Sequence, residues 1–232
     1  MSDPKENAAR AALAEVRDGM TLGLGTGTTA AVFVRLLGQR PGAAELACVA
    51  TSQETERQAR EAGLPVVTPD ETTVIDLAVD GADEAAPDGA LIKGGGGALL
   101  REKIVAAAAR RFVVIADASK RVSMLGAVPL PIEIEPFAWA LTVRAVRETL
   151  RENGLGDPEL ALRPGGGGFA ETDGGNLVLD CKLGRIEEPV LLDRRLTMIP
   201  GVVTTGLFTG LADTIYFGTA DGADRVDVEA RP

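Results

Sequence analysis

The residue types best suited to chemistry lie together in the stretch Lys93–Lys103, which combines a lysine, a run of glycines and a glutamate. Gly94–Gly97 lead from a short apolar run into an alanine- and leucine-rich helical pattern. Glycines leave backbone N–H groups open to a ligand, and the N–H groups that begin a helix attract anions. With Lys93 before the loop and Glu102 after it, the stretch could bind an anionic intermediate and move its proton. Taken alone, it could equally be a flexible surface turn followed by an ordinary helix.

The loop Thr26–Thr29 is a second candidate for anion binding. It follows a strand predicted at Thr21–Gly25 and precedes a helix predicted to end near Leu37. It is not a Walker phosphate loop, because no Gly-Lys-Ser/Thr follows, and Gly23, Gly25 and Gly27 do not have the GxGxxG spacing of a dinucleotide-binding motif. Three threonine hydroxyls and glycine amides at a helix N-terminus would suit a phosphate monoester. The alternative is a glycine-rich turn capped by threonine.

Polar side chains also follow two apolar runs that resemble buried parallel strands. Val74–Val79 is followed by Asp80, Asp83 and Glu84, and a strand predicted at Phe112–Asp117 is followed by Lys120. In open α/β sheets ligands bind beyond the carboxyl ends of the strands, so these residues lie where chemistry is expected. A solvated turn and an exposed loop lysine are the alternatives. A metal is conceivable at the carboxylates, but Lys93 would offset their charge without one.

The composition excludes several classes of function. The chain has 232 residues, a net charge of −10 and no histidine. The acidic balance without a basic run disfavours nucleic-acid binding, and no apolar run approaches the ~20 residues that span a bilayer. The N-terminus lacks the apolar core of a signal peptide, so we expect a cytoplasmic protein. Without histidine a histidine-based triad is impossible, zinc catalysis is disfavoured, and proton transfer must use a carboxylate, lysine, tyrosine or cysteine. We expect Cys48 and Cys181 to be buried small hydrophobes.

The order of elements predicts an α/β fold with a Rossmann-like doubly wound sheet and a second, smaller α+β domain. The first domain is expected over residues 1–126 and 205–232, the second over 127–204, with Gly165–Gly168 as a hairpin loop. The predicted helices are Lys5–Asp18, one ending near Leu37, one from the capping box Thr51–Glu54 to Gly63, Trp139–Asn153 and Pro189–Ile199. The remaining predicted strands are Leu46–Ala50, Pro65–Thr68, the extended Ile132–Ile134, Glu159–Arg163, Asn176–Lys182, Tyr216–Gly218 and Val226–Val228.

Taken in order and spacing, the motifs resemble the A-type ribose-5-phosphate isomerases across nearly the whole chain. The motifs that carry this resemblance are Gly25–Thr29, Asp80–Glu84, Lys93–Lys103 and Asp117–Lys120, with Pro129–Glu133 and Ile199–Val203 also similar. The resemblance implies an enzyme of the non-oxidative pentose phosphate pathway. Such an enzyme interconverts ribose 5-phosphate and ribulose 5-phosphate through an enediolate, without metal or organic cofactor. It also implies a homodimer or homotetramer.

The resemblance further implies roles for individual residues. Glu102 would be the base that carries the proton between C1 and C2. Lys93, Asp80 and Asp83 would assist ring opening and handle charge and protons on the substrate oxygens. The residues that would hold the substrate are Thr26, Gly27, Thr28, Thr29, Gly81, Ala82, Gly94, Gly95, Gly96 and Lys120.

Two other functions compete with this interpretation. Related folds serve as sugar-phosphate sensors in bacterial repressors, but here a DNA-binding segment is missing and Glu102, Lys93, Asp80 and Asp83 are all present. An acyl-CoA transferase with a glutamate nucleophile has a similar fold. The threonine loop and the short chain argue against it.

Overall fold

The computed structural model describes residues 3–228, so the two ends of the predicted first domain, residues 1–2 and 229–232, lie outside it. Its helices are α1 (Pro4–Leu13), α2 (Thr28–Gly38), α3 (Gln53–Glu61), α4 (Leu99–Ala108), α5 (Trp139–Glu152) and α6 (Pro189–Thr197). None of these helices has the length and apolar character needed to cross a membrane.

A six-stranded sheet forms the larger part of the molecule, in the order β15-β14-β6-β3-β1-β2. Its strands are parallel, except that β15 runs antiparallel to β14. The strands are β1 (Thr21–Leu24), β2 (Ala47–Ala50), β3 (Leu77–Asp80), β6 (Phe112–Asp117), β14 (Thr214–Gly218) and β15 (Ala223–Asp227). The predicted doubly wound sheet is therefore confirmed.

Both faces of this sheet are covered, as the side-chain alternation of β6 shows. Val113 and Ile115 point into a core that includes α1 and α2. Phe112 and Val114 point into a second core that includes Val105 of α4. Because strand side chains alternate between faces, a continuous apolar run fits a strand buried on both sides.

A smaller antiparallel sheet, β12-β7-β11-β8, carries α5 and α6 on its own apolar core. Its strands are β7 (Leu130–Ile134), β8 (Glu159–Leu162), β11 (Leu177–Lys182) and β12 (Val202–Thr205). The expected hairpin at Gly165–Gly168 is present, because β9 (Pro164–Gly165) pairs antiparallel with β10 (Gly168–Phe169). The smaller α+β unit is thus confirmed, and its boundaries at 127 and 204 remain a prediction.

Three two-residue strands join the two cores. They are β4 (Glu84–Ala85), β5 (Leu91–Ile92) and β13 (Leu207–Phe208), in the order β13-β5-β4. Ile92 and Leu207 pack in the core of the smaller sheet, whereas Leu91 and Phe208 pack against the larger sheet. Lys93 directly follows β5. Because β5 packs against both cores, the position of Lys93 is fixed by both of them.

Several predicted elements differ from the structure. Pro65–Thr68 is not a strand: only Val66 forms an isolated bridge, to Cys48. The predicted helix Lys5–Asp18 ends at Leu13. The capping residue of α3 is Ser52, whose side chain accepts from the Thr55 N–H, because the Thr51 hydroxyl instead donates to the Leu24 carbonyl. The two cysteines are free and buried, as predicted.

Candidate active site

Lys93 lies at the centre of a buried array of charges. Its Nζ is 2.9 Å from Asp80 Oδ2 and 3.3 Å from Glu102 Oε1, and it also donates to the Gly81 carbonyl at 2.6 Å. The three side chains are 2–5% exposed. Asp80 ends β3, Lys93 follows β5, and Glu102 lies in the first turn of α4. Three separate elements therefore deliver one cation and two carboxylates to one point.

The Asp80 carboxylate is held by backbone as well as by Lys93. Its Oδ1 accepts from the N–H of Thr26 at 3.1 Å and from that of Gly81 at 2.7 Å. A Cβ added at Gly25 would lie 2.0 Å from the same oxygen, so only glycine fits there. The close approach of the Asp80 side chain to the backbone at Gly25 explains the glycine that precedes the threonine loop.

Glu102 is a buried carboxyl group whose pKa lies near neutral pH. Its Oε2 is buried and has no hydrogen-bond partner among residues 3–228. Burial, and next the nearby charge of Asp80, raise the pKa of Glu102 to about 8, although Lys93 opposes the shift. Burial disfavours the charged form of Lys93, but the carboxylates of Asp80 and Glu102 outweigh it and raise the Lys93 pKa. Lys93 therefore stays cationic while Glu102 can exchange a proton.

The ring of Phe208 lies beneath two ammonium groups. Its centroid is 5.4 Å from Lys93 Nζ and 5.0 Å from Lys103 Nζ, distances at which a cation is attracted to the ring face. Lys103 is also 3.6 Å from Asp193 Oδ1. Burial lowers the Lys103 pKa. The buried ring thus adds a cation–π contact to the carboxylate contacts of Lys93.

The glycine loop fixes the second aspartate of the site. The N–H of Gly95 donates to Asp83 Oδ2 at 2.8 Å. Gly94 and Gly97 have φ values of +103° and +77°, which residues with a Cβ rarely adopt. The loop conformation that gives Asp83 its partner therefore depends on glycine.

The threonine loop forms the N-terminus of α2, which begins after Gly27. The Thr28 hydroxyl accepts from Lys5 Nζ at 2.8 Å. The Thr26 hydroxyl instead lies within 2.8–3.1 Å of the hydroxyls of Thr51, Ser52 and Thr55. One of the three hydroxyls expected to bind phosphate is therefore engaged in an internal cluster.

These elements surround a pocket of about 160 Å³. Asp80, which pairs with Lys93, does not line the pocket. Every other residue predicted for the site does: Glu102, Asp83, Lys93, Thr26, Gly27, Thr28, Thr29, Gly81, Ala82, Gly94, Gly95, Gly96 and Lys120. Glu84, the third member of the acidic cluster, is buried elsewhere, where its carboxylate accepts from the N–H groups of Gly126 and Val128.

Lys5 and Asp117 also line the pocket, although the sequence marks Asp117 only as the first residue of the motif Asp117–Lys120. Lys5 belongs to α1, far from every motif, and no local pattern marks it. Asp117 ends β6 and accepts from the N–H and hydroxyl of Ser119. Burial favours its neutral form, but those hydrogen bonds and the charges of Lys120 and Lys5 together lower its pKa. Two lysines and the α2 N-terminus thus make one end of the pocket positive, and the Asp117 carboxylate partly balances them.

Within residues 3–228, no group of three or more histidine, cysteine, aspartate or glutamate side chains is arranged to hold a metal ion. Lys93 supplies the positive charge between the carboxylates. That the reaction needs no metal stays a prediction, for which the test is activity in a chelator.

The profile of the family ribose 5-phosphate isomerase A (phosphoriboisomerase A) matches residues 47–222. The chain is 51% identical to the ribose-5-phosphate isomerase A of Rhodopseudomonas palustris strain BisA53 over 220 residues, which cover 94% of this chain and 91% of that protein.

Solved structures of ribose-5-phosphate isomerases are also similar to this chain. The ribose 5-phosphate isomerase A of Methanocaldococcus jannaschii superposes with a TM-score of 0.88 at 39% identity, covering 97% of this chain and 98% of that one. A D-ribose-5-phosphate isomerase in complex with phospho-erythronic acid superposes with a TM-score of 0.88 at 37% identity, covering 97% of each chain. By its sequence and its fold, the chain belongs to the ribose 5-phosphate isomerase A family.

Proposed function

We propose that this chain interconverts D-ribose 5-phosphate and D-ribulose 5-phosphate, with Glu102 as the base. Membership of the family supports the substrate pair. One observation carries the chemistry: Glu102 faces the pocket, is held at Oε1 by Lys93, and has an Oε2 without a partner among the described residues. That oxygen is free to take a proton.

The reaction moves one proton between neighbouring carbons. Glu102 removes the proton from C2 of the open-chain aldose, and the electrons of the C–H bond form a C1–C2 double bond while O1 becomes negative. A proton then passes from O2 to O1, so that the negative charge moves to O2. The C2–O2 carbonyl forms as the electrons of the C1–C2 double bond take the proton back from Glu102 at C1. A pKa raised towards neutrality suits a group that must both accept and donate.

The enediolate intermediate needs positive charge near its oxygens. Lys93 is buried, cationic and preorganised by Asp80 and the Gly81 carbonyl. In a site with little water, such a cation stabilises developing negative charge without having to reorganise. Asp83, held by the Gly95 N–H and lining the pocket, is placed to exchange protons with the substrate hydroxyls during ring opening.

The substrate phosphate would bind at the opposite end of the pocket. Lys5, Lys120 and the first N–H groups of α2 surround this end, and helix N-termini are common phosphate sites. The relative solved with phospho-erythronic acid holds a phosphorylated ligand on the same fold. A phosphate fixed there and a base at Glu102 together define which carbons of the sugar reach the base.

We also propose, on the resemblance alone, that the protein works in the non-oxidative pentose phosphate pathway of the cytoplasm. It would act as a homodimer or homotetramer, without metal or organic cofactor.

The test is ketose formation from ribose 5-phosphate in excess chelator, with the Glu102→Gln variant alongside. Glutamine keeps the shape of the side chain but cannot take the proton, so we expect a loss of roughly 10²- to 10⁴-fold. The matched control is Glu61→Gln, which removes an exposed helix carboxylate that pairs with Arg57. Turnover of the Glu102→Gln variant at the wild-type rate would contradict the proposal.

The alternatives give different results in the same assay. A sugar-phosphate sensor would show saturable binding of ribose 5-phosphate without turnover. An acyl-CoA transferase would form a covalent thioester on Glu102 that a nucleophile can trap. A protein that neither converts nor binds the sugar phosphate would contradict both the isomerase and the sensor.

A further inference from the structure

A single arginine of the smaller sheet reaches across to the glycine loop. Arg163 follows β8, and its Nη1 donates to the carbonyl of Gly94 at 2.9 Å and to that of Gly95 at 3.0 Å. Its Nε and Nη2 donate to the two oxygens of Asp180 on β11 at 2.9 and 2.6 Å. The guanidinium therefore ties the antiparallel sheet to the backbone of the catalytic loop.

Gly95 connects this arginine to the site. Its carbonyl accepts from Arg163, and its N–H donates to Asp83 Oδ2 at 2.8 Å. A run of glycines has more backbone freedom than any other sequence, so it does not hold such a conformation unaided. Arg163 lies outside the 160 Å³ pocket, whereas Gly94 and Gly95 line it. Arg163 instead lines the neighbouring cavity, which shares Gly95 and Gly96 with the pocket, and its hydrogen bonds to the pocket's lining are those to the two loop carbonyls.

We propose that Arg163 is a positioning residue: it fixes the backbone of Gly94 and Gly95 so that the Gly95 N–H holds Asp83 towards the substrate. This inference rests on the proposed function, because it assigns Asp83 work on the substrate oxygens. Asp180 accepts two hydrogen bonds from the same guanidinium and so fixes its orientation.

The geometry requires an arginine rather than any cation. Arg163 and Asp180 are 20% and 24% exposed, so their paired charges are largely shielded from water. A planar guanidinium can bind a carboxylate with two donors while a third points to the loop carbonyls, whereas a lysine ammonium cannot span both sets of partners.

The first experiment measures kcat and KM for ribose 5-phosphate in Arg163→Ala and Arg163→Lys. A small misplacement of a catalytic group can cost about 100-fold, so we expect kcat to fall about 10- to 100-fold in Arg163→Ala and less in Arg163→Lys. The control is Arg147→Ala, since Arg147 also pairs with a carboxylate, Asp157, and a backbone carbonyl, that of Pro158, but does not contact the loop. We expect its kcat to be unchanged.

Added guanidinium ion distinguishes positioning from simple loss of structure. In Arg163→Ala the removed side chain leaves space between Asp180 and the loop, where millimolar guanidinium should bind and restore part of kcat. Wild type and Arg147→Ala should show no gain. A kcat deficit that guanidinium leaves unchanged and that tracks the unfolded fraction would overturn the proposal.

A double substitution tests the route through Asp83. If Arg163 acts by orienting that carboxylate, Arg163→Ala should cost much less in an Asp83→Asn background than in the wild type. Losses that multiply, or a wild-type kcat in Arg163→Ala, would overturn the positioning role and leave the isomerase proposal standing. A wild-type protein without turnover would overturn both.

Discussion

Lys93 and Glu102 lie with Nζ and Oε1 3.3 Å apart, and their side chains are only 2% and 5% exposed. Asp80, 2.9 Å from the same Nζ, makes the group one cation and two carboxylates. When both carboxylates are ionised, the buried array has a net negative charge. Burial of an uncompensated charge is unfavourable, so ionisation of Glu102 lowers the stability of the folded protein, and the side chain takes up a proton readily.

The first prediction is that Glu102→Gln is more stable than the wild type at high pH. The pKa of Glu102 is raised to about 8 in the folded state from an ordinary 4.5. Between these values the folded protein binds more protons than the unfolded chain, so the free energy of unfolding falls as pH rises. Glutamine removes this dependence. Because 1 kcal/mol corresponds to about 2–4 °C in a protein of this size, we expect a gain of a few degrees in Tm at pH 9.

Thermal unfolding of both proteins between pH 5 and pH 9 measures this difference. The gain should shrink towards pH 5, where Glu102 is protonated in the folded wild type. A variant less stable than the wild type at pH 9 would show that the ionised Glu102 stabilises the array. In kinetics the same pKa should place the acid limb of kcat/KM well above pH 4.5, because the base must be ionised in the free enzyme.

The second prediction concerns Lys93→Met, which leaves Asp80 and Glu102 without their cation. Removing one partner of a buried ion pair costs about 3–5 kcal/mol, and the variant should have no measurable isomerase activity. The two carboxylates then bind protons more readily in the folded protein than in the unfolded chain. The destabilisation should therefore be smaller at pH 5 than at pH 8.

Urea unfolding at the two pH values tests this expectation. Lys182→Met is the control, because Lys182 pairs with Glu159 on the surface, where both side chains are more than half exposed. Exposed pairs contribute only about 0–1 kcal/mol. If Lys93→Met lowers the free energy of unfolding by the same amount at both pH values, the loss comes from packing of the methionine and not from the missing charge.

The third prediction is that Gly25→Ala damages both stability and activity. The new Cβ would lie 2.0 Å from Asp80 Oδ1, so the aspartate or the backbone must move. Overpacking of this kind costs about 1–3 kcal/mol, and displacement of Asp80 should lower kcat at least 10-fold. Gly166→Ala is the matched control, since no atom lies within 4 Å of its added Cβ. Equal behaviour of the two variants would contradict the close approach at Gly25.

The residues at the centre of the site can be predicted from the sequence, because they lie close together in the chain or at the end of a predicted strand. A lysine, a glycine run and a helix glutamate within one stretch, with an aspartate at a strand end, make Lys93, Glu102 and Asp80 candidates. The resemblance of the motifs to a known family then predicts that they act together. Parallel strands bring their carboxyl ends to one edge of the sheet. The alternation of predicted strands and helices is therefore enough to predict which residues lie at that edge.

Other features depend on packing that no local pattern reveals. Lys5 reaches the pocket only because α1 packs across the sheet, and the Thr26 hydroxyl turns inward because Thr51, Ser52 and Thr55 lie within reach. The two-residue strands β4, β5 and β13 are too short to show a period. Pro65–Thr68 has the composition of a strand, but the structure gives it a single bridge and no ladder.

The last prediction separates the phosphate end of the pocket from the catalytic end. Lys5 and Lys120 line the pocket, and neither contacts the array around Lys93. A hydrogen bond to a charged group contributes about 1.5–3 kcal/mol, so Lys5→Ala and Lys120→Ala should each raise KM for ribose 5-phosphate about 10-fold or more. Because these lysines act on a part of the substrate that does not react, kcat should change much less.

Inorganic phosphate should inhibit the wild type competitively and these variants more weakly, whereas Lys182→Ala should match the wild type in both assays. If kcat falls while KM and phosphate inhibition stay unchanged, these lysines do not bind the phosphate. The assignment of the carbons that Glu102 can reach would then be wrong as well.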